Sequence, residues 1–402
     1  MTHALRTAKP LLAVATLSLA ALTACGSSSN SGSAAAGTSS ASAGQASSSA
    51  SSASSGAAGP SASSSGATVT SGTGKANPTI ALILPNHDAP RYEQQDRPKF
   101  ESALKAACPQ CKMIYYNSNA SVATQQSQAE SAIAQGADVI SFVPADVKAA
   151  ASIVQKAHAK HVKVIALGRG VVGATPDALV TYDPLVVGQQ QATTLLADMK
   201  AQGLANKQIV MINGAPTDDL AMGFKKGAHQ VLDSSGVKIG REFDTPNWDP
   251  AVAQTEMDQA ITALGKDQIG GVIAANDTTA GSVVASMKNH GMDPHKIPIT
   301  GLDADLAGLQ RILDGVQAMT VYQPILLTET ANAKIAVALG RGEPIPKDLV
   351  NGPGPVPAFF FKTVIVTAAN MKDTVAKEPN YVDLKKLCAA PYDVGCKKFG
   401  IQ

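Results

Sequence analysis

Between Gly26 and Gly74 there is not one charged side chain, and Ser, Ala and Gly dominate. A stretch of that composition cannot bury a core and stays disordered. Aromatic residues are scarce, 4% of the chain with a single Trp, so the place of that Trp matters. Charge of one sign is also missing: 33 Lys and Arg against 31 Asp and Glu leave a net charge of +2. That balance excludes a strongly basic face for nucleic acid. There is no G-x-x-x-x-G-K-[ST] phosphate loop, no G-x-S-x-G elbow and no Cys/His spacing of the zinc type. His158 and His161 fall on a Lys-rich helical run and read as a solvated face. No enzyme activity, cofactor or metal is expected.

What is present begins with an address. Arg6 and Lys9 precede an apolar run at 11–21, too short to span a bilayer. Leu22-Thr23-Ala24-Cys25-Gly26 follows and resembles a bacterial lipobox, which implies lipidation of Cys25. The mature chain is then expected outside the cytoplasmic membrane, held by acyl chains. A tether of about 50 residues spans roughly 40 Å as a flexible coil. The other four cysteines are Cys108, Cys111, Cys388 and Cys396. Proximity favours Cys108–Cys111 and Cys388–Cys396 as disulfides, and an oxidising exterior permits them. Cys108-Pro109-Gln110-Cys111 is also a C-x-x-C, but it follows the helical run 100–107. A redox cysteine prefers a helix N-terminus, so a structural clip is the better reading.

The remainder alternates strand and helix. Strand-like runs fall at 79–84, 112–116, 139–143, 162–167 and 179–182, then at 208–212, 238–243, 271–274, 297–301 and 318–321. Helical runs between them include 120–135, 147–160, 188–200, 220–232, 251–264 and 279–289. Apolar strands alternating with helices predict parallel sheets covered on both faces, and two series predict two doubly wound α/β lobes. Ligands of such sheets bind beyond the C-terminal strand ends. Those ends here carry Asn86-His87-Asp88, Arg169, Asn213, Asn276-Asp277 and Asp303. Gly168-Arg169-Gly170-Val171-Val172-Gly173 matches G-x-G-x-x-G, but turn residues and another strand follow where a dinucleotide fingerprint opens a helix. Trp248, in Thr245-Pro246-Asn247-Trp248-Asp249-Pro250, stands at the mouth of the second series. A sugar needs an aromatic face for its C–H patch and planar partners for its hydroxyls, which Asp, Arg and Asn supply.

Three segments carry a resemblance. They are Ala274-Ala275-Asn276-Asp277-Thr278-Thr279-Ala280-Gly281, Gly301-Leu302-Asp303-Ala304-Asp305-Leu306-Ala307-Gly308 and Met319-Thr320-Val321-Tyr322-Gln323-Pro324-Ile325. With Arg91-Tyr92, Pro216-Thr217-Asp218 and Asn247-Trp248-Asp249-Pro250, they resemble the type I periplasmic sugar-binding proteins of ABC transporters, most of all the D-xylose-binding ones. The resemblance implies two Rossmann-like lobes joined by a three-strand hinge, with crossings near 182–184, 322–324 and 353–357. It implies sugar contacts from Arg91, Arg169, Trp248, Asn276 and Asp303, with Asp218, Asp219 and Gln323 completing the candidate set. Three departures stand out. Gly168 replaces the Asp of the xylose pattern, Asp219-Leu220 replaces Asn-Asn, and Gln323 replaces Lys. Asp219 is read as the acceptor that Gly168 lacks.

The expected organisation is a lipoprotein signal peptide at 1–25 and a tether at 26–77. The N-terminal lobe is expected at 78–182 with 323–352, the C-terminal lobe at 183–322 with 353–370, and a C-terminal strap at 371–402. The expected function is a monomeric, lipid-anchored receptor that closes on a monosaccharide, D-xylose or a related aldose. It passes the sugar to ABC permease subunits in the membrane, with no nucleic-acid partner. The alternative is a receptor of the same fold for a non-sugar such as an autoinducer or nucleoside.

Overall fold

A computed structural model describes residues 74–401. The signal segment, Cys25 and the expected tether up to residue 73 lie outside the described residues. The tether was expected to run to 77, but Lys75 N already donates to Gly340 O (3.1 Å), and Lys75 Nζ meets Asp138 (2.8 Å).

The first lobe forms because β1 (Thr79–Leu84), β3 (Val139–Phe142) and β4 (Lys163–Leu167) are nearly continuous apolar runs, buried along almost their whole length. Such strands need cover on both faces. The cover comes from α1 (Arg97–Ala107), α2 (Val122–Ala134) and α3 (Ala150–His158). With β2 (Lys112–Asn117) and β5 (Ala178–Thr181) they build a parallel sheet. The chain then crosses to the second lobe through Tyr182-Asp183. There α4 (Pro184–Ala201), β6 (Gln208–Asn213), α5 (Asp219–Leu232), β7 (Ile239–Asp244), α6 (Pro250–Leu264), β8 (Ile269–Ala274), α7 (Asp277–Asn289), α8 (Leu306–Asp314) and β9 (Thr320–Tyr322) follow. The second sheet runs β7-β6-β8.

The expected strand at 297–301 shrinks to an isolated bridge, Val272 to Ile299. Pro298 has no N–H for the ladder, so only its carbonyl takes part, accepting from Val272 N (3.0 Å). The chain returns through Gln323-Pro324 to α9 (Ile325–Arg341), which packs on β3 and β4 of the first sheet. The helices α8 and α9 lie outside the helical runs named above. Much of α9 is buried on several sides, so it lacks a clear amphipathic stripe.

The third crossing corrects the expectation. The Pro-rich stretch 353–357 is a loop that doubles back at the edge of the first lobe. Ala358, the first residue past it, opens β10 (Ala358–Phe360), which pairs with β5. The six-stranded order is β10-β5-β4-β3-β1-β2. The crossing falls at Phe361–Thr363, before β11 (Val364–Val366) pairs antiparallel with β9. Residues 353–360 therefore side with the first lobe, contrary to the boundary drawn above. The tail then packs on α8 and carries α10 (Leu384–Leu387) and α11 (Asp393–Phe399). Disulfides join Cys108 to Cys111 and Cys388 to Cys396. Cys108 caps the C-terminus of α1, where a helix gives a thiolate no support.

In the second lobe α4 and α5 approach backbone to backbone. A Cβ on Gly188 would collide with Phe224 O, and one on Gly227 with Leu185 O. Gly188→Ala is expected to cost about 1–3 kcal/mol, read as a drop of several degrees in thermal midpoint. An unchanged midpoint would mean that the two helices separate freely.

Candidate functional site

The C-terminal strand ends of both lobes face one cavity of about 690 Å³, its mouth included. Arg91, Arg169, Asp218, Trp248, Asn276, Asp303 and Gln323 all line it. Asp219 does not. Its carboxylate accepts from Gly170 N (2.9 Å), which ties the lobes together beside the cavity. It opens α5 and points at the first lobe's loop, so it does not stand in for an acceptor at Gly168.

Two arginines from the first lobe organise the charge. Arg91 is gripped within its own lobe by Asp96, with Nε to Oδ2 at 3.1 Å and Nη2 to Oδ1 at 2.6 Å. That fork leaves Nη1 for the other side. It donates to Asp303 Oδ1 (3.2 Å) and to Gln323 Oε1 (2.5 Å), while Gln323 Nε2 donates to Asp303 Oδ1 (3.0 Å). Burial works against the Arg91 charge, but Asp96 and Asp303 hold it more firmly protonated than a free arginine. Burial also pushes the Asp303 carboxyl above the usual range, with Arg91 opposing it. Arg169 is anchored by Nη1 on Pro144 O (2.7 Å), and its Nε meets Asp218 of the second lobe at 2.7 Å. The same Asp218 oxygen accepts from Trp248 Nε1 (3.1 Å).

Local chain chemistry sets these positions. Asp218 is the N-cap of α5 and accepts from Leu220 N (2.9 Å). Asn276 caps α7, its Oδ1 taking Thr279 N (2.9 Å). A cap satisfies helix N–H groups that otherwise have no partner. Both caps therefore complete a helix and wall a cavity at once. Among the described residues the Asn276 Nδ2 has no partner. The Trp248 ring lies over Gly214, where any Cβ would strike the indole. Its backbone and that of Asn247 are left-handed, at φ +61° and +57°.

Several lining residues were missing from the candidate set. Asn86 spends its Oδ1 on Ala89 N (3.1 Å). Tyr92 lines the same cavity. Tyr182 stacks with Phe224 at 6.2 Å and tilts against Phe361 at 5.2 Å, an aromatic wall at the hinge. Asn86 at a strand end and Tyr92 beside Arg91 were legible signals. Phe224 and Phe361 had none, because they come from a helix face and a crossing strand. A Cβ on Gly168 would stand 4.0 Å from Leu220 Cδ1, so two of the three departures face each other across the cleft.

Behind Asp96 lies Glu329 of α9, fully buried. Its Oε2 accepts from Asn332 Nδ2 (3.0 Å), while its Oε1 has no partner among the described residues. Burial, aided by the nearby Asp96, pushes its pKa well above the ordinary value. A carboxyl whose native pKa is raised supports the fold fully below its unfolded pKa, about 4.3. It loses that contribution as pH rises through the native pKa. The stability of Glu329→Gln relative to the parent is therefore expected to rise from pH 4 towards neutrality, by about 1 kcal/mol or more. Denaturant melts at pH 4 and pH 7.5 measure this, and an equal difference at both would refute it.

The family described as a periplasmic binding protein domain matches residues 80–344. The chain is 35% identical to the D-xylose-binding periplasmic protein of Escherichia coli over 71% of this chain and 86% of that one. It is 33% identical to the protein of that name from Haemophilus influenzae, over 71% and 85%. Among solved structures, a carbohydrate transporter solute-binding protein from Chloroflexus aurantiacus, in complex with D-glucose, superposes with a TM-score of 0.65 at 27% identity. That match covers 74% of this chain and 94% of the other. These relatives are binding proteins of transport systems, not enzymes. The chain belongs to the periplasmic binding protein family, with its type I fold.

Proposed function

We propose that this chain is the extracytoplasmic receptor of an ABC sugar importer, and that it closes its two lobes on one aldose, D-xylose or a near relative. The observation that carries the reading is the cavity. It offers forked cations, carboxylates and amides from both lobes, together with the sole Trp, which is what a hydroxyl rim and a C–H face require. The relatives bearing the D-xylose name support the sugar. On this reading Arg91, Arg169, Asp218, Asn276, Asp303 and Gln323 serve the hydroxyls and Trp248 packs on the ring.

The facing pair Gly168 and Leu220 offers no hydrogen bond, so the ligand presents C–H there. The pyranose ring of D-xylose has an unsubstituted CH₂ at C5, where D-glucose carries a hydroxymethyl group. The same apolar patch, continued by Phe224 and Phe361, favours the second reading: a less polar, non-sugar solute. Cys25 is proposed as the lipid anchor. Lys75 is fastened near the start of β1, at the edge of the first sheet opposite the cavity. A tether arriving there leaves the mouth free to meet permease subunits, with the receptor acting as a monomer.

Calorimetric titration of the full chain with D-xylose, D-glucose, D-ribose and L-arabinose tests the function. Micromolar affinity for D-xylose, about −8 kcal/mol, is expected, together with a change in the emission of the sole Trp. Asp303→Asn and Trp248→Ala should each weaken it at least tenfold, by removing a charged hydrogen-bond partner or a stacked ring. Binding of none of the four sugars would move the function to the second reading.

A further inference from the structure

Asp303 and Ala304 have φ of +97° and +52°, a conformation that residues with a Cβ keep only where their surroundings enforce it. The enforcement comes from two sides. The N–H groups are held by β9, Asp303 N on Val321 O (2.9 Å) and Ala304 N on Thr320 Oγ1 (3.1 Å). Both carbonyls are held by one side chain of the C-terminal segment. Tyr381 Oη lies 2.8 Å from Asp303 O and 3.1 Å from Ala304 O and shares its single O–H between them. Tyr381 is 3% exposed, and its ring stands edge-on to Tyr322 at 4.9 Å.

The same segment is fastened to the first lobe. Gln95 Nε2 donates to Tyr381 O (2.6 Å), and Lys99 Nζ donates to Asn380 O (3.1 Å). Gln95 and Lys99 follow Arg91 at intervals of four residues, along one helical stretch of the first lobe. That stretch holds the Asp303 carboxylate through Arg91. Through Gln95 it also holds the residue that fixes the Asp303 backbone, and through Lys99 the residue before it. The segment otherwise packs on the second lobe, against Leu309, Ile312 and Tyr322. It is a strap across both lobes, not a trim on one.

We propose that Tyr381 is a positioning residue of the binding site, and that the strap belongs to the closed receptor. Its hydroxyl sets the Asp303–Ala304 turn so that the Asp303 carboxylate meets Arg91 in the cavity, and its carbonyl locks that arrangement to the first lobe. The proposal rests on the sugar-receptor reading only in taking Asp303 as a ligand contact.

The test compares the full chain with Tyr381→Phe, Asp303→Asn and the double variant. The readouts are D-xylose titration and amide hydrogen exchange of the peptide spanning 302–305. Tyr381→Phe keeps the ring against Tyr322, so the thermal midpoint should move by no more than a few degrees. It should weaken D-xylose about tenfold and speed exchange in that peptide. In the Asp303→Asn background it should weaken binding no further, because a residue acting through Asp303 has nothing left to position. A merely structural role would instead give additive losses, and unchanged exchange in Tyr381→Phe would overturn the proposal outright. Gln95→Ala removes the tie from the first-lobe side without touching the strap. It should weaken D-xylose severalfold, and an unchanged affinity would remove the strap from the closed receptor. If Asp303→Asn itself leaves binding intact, Asp303 is removed from the site and the positioning role falls with it; if the parent binds none of the four sugars, it is the sugar reading that falls. The exchange experiment still judges Tyr381.

Discussion

Everything in the cleft depends on how two buried cations are shared between lobes. A charge taken out of water is costly unless it is paired and hydrogen-bonded, and stripping one partner from a buried pair is costlier still. On the proposed reading, a receptor that opens and closes meets that problem at every cycle. Here each charged group keeps a partner at home. Arg91 retains Asp96, and Arg169 retains the Pro144 carbonyl. Asp218 retains the N-terminus of α5 and Trp248, and Asp303 retains Gln323 at the crossing. On the proposed reading, separating the lobes breaks the shared ion pairs, but Arg91 keeps its counter-charge, and Arg169, Asp218 and Asp303 keep hydrogen-bond partners where they face water.

The resident partners are supplied by secondary structure that has to exist anyway. A parallel strand delivers its chain to the C-terminal edge of the sheet, and the helix that follows needs a cap there. Asp218 and Asn276 meet that need with one oxygen each, and the rest of each side chain faces the cavity. Rigid walls follow at no extra cost in side-chain freedom, since the rotamers are already spent on capping. Trp248 is fixed in a different way, by a left-handed backbone and by the bare Gly214 beneath its ring. Only glycine lets the indole come that close.

Those same rules decide what was legible beforehand. Parallel strands buried on both faces are continuous apolar runs, so β1, β3, β6 and β8 stood out in the sequence. So did the polar residues just after them, because the chain has to turn there. Trp248 stood out as the only one of its kind. Features set by partners distant in the chain did not. Asp219 sits beside Asp218, yet its carboxylate is claimed by Gly170 N, 49 residues away in sequence. Nothing local distinguishes the two acids except the register of α5. The third crossing looked like the Pro-rich stretch, but proline marks where pairing cannot occur, not where the chain changes lobe. Phe224 and Phe361 belong to a helix and a crossing whose inward faces are defined only once both lobes are assembled.

On the proposed reading, closure follows from what the charges leave unspent. A ligand shifts the equilibrium between open and closed only by what it gains in one state over the other. In this structure the arginines and their acids already satisfy much of each other across the cleft. Among the cavity groups of the described residues left without a partner are the Asn86 Nδ2 of the first lobe, the Asn276 Nδ2 of the second and the second oxygen of Asp303, beside the Arg169 Nη2 and the hydroxyls of Tyr92 and Tyr182. A small polyol reaching from Asn86 to Asn276 or Asp303 bonds both lobes at once and favours the closed form. A solute that touches one lobe alone binds without moving the equilibrium. On the proposed reading discrimination lies in geometry, because the two amides have to be bridged by hydroxyls of one rigid ring while Leu220 and Gly168 offer no side-chain hydrogen bond.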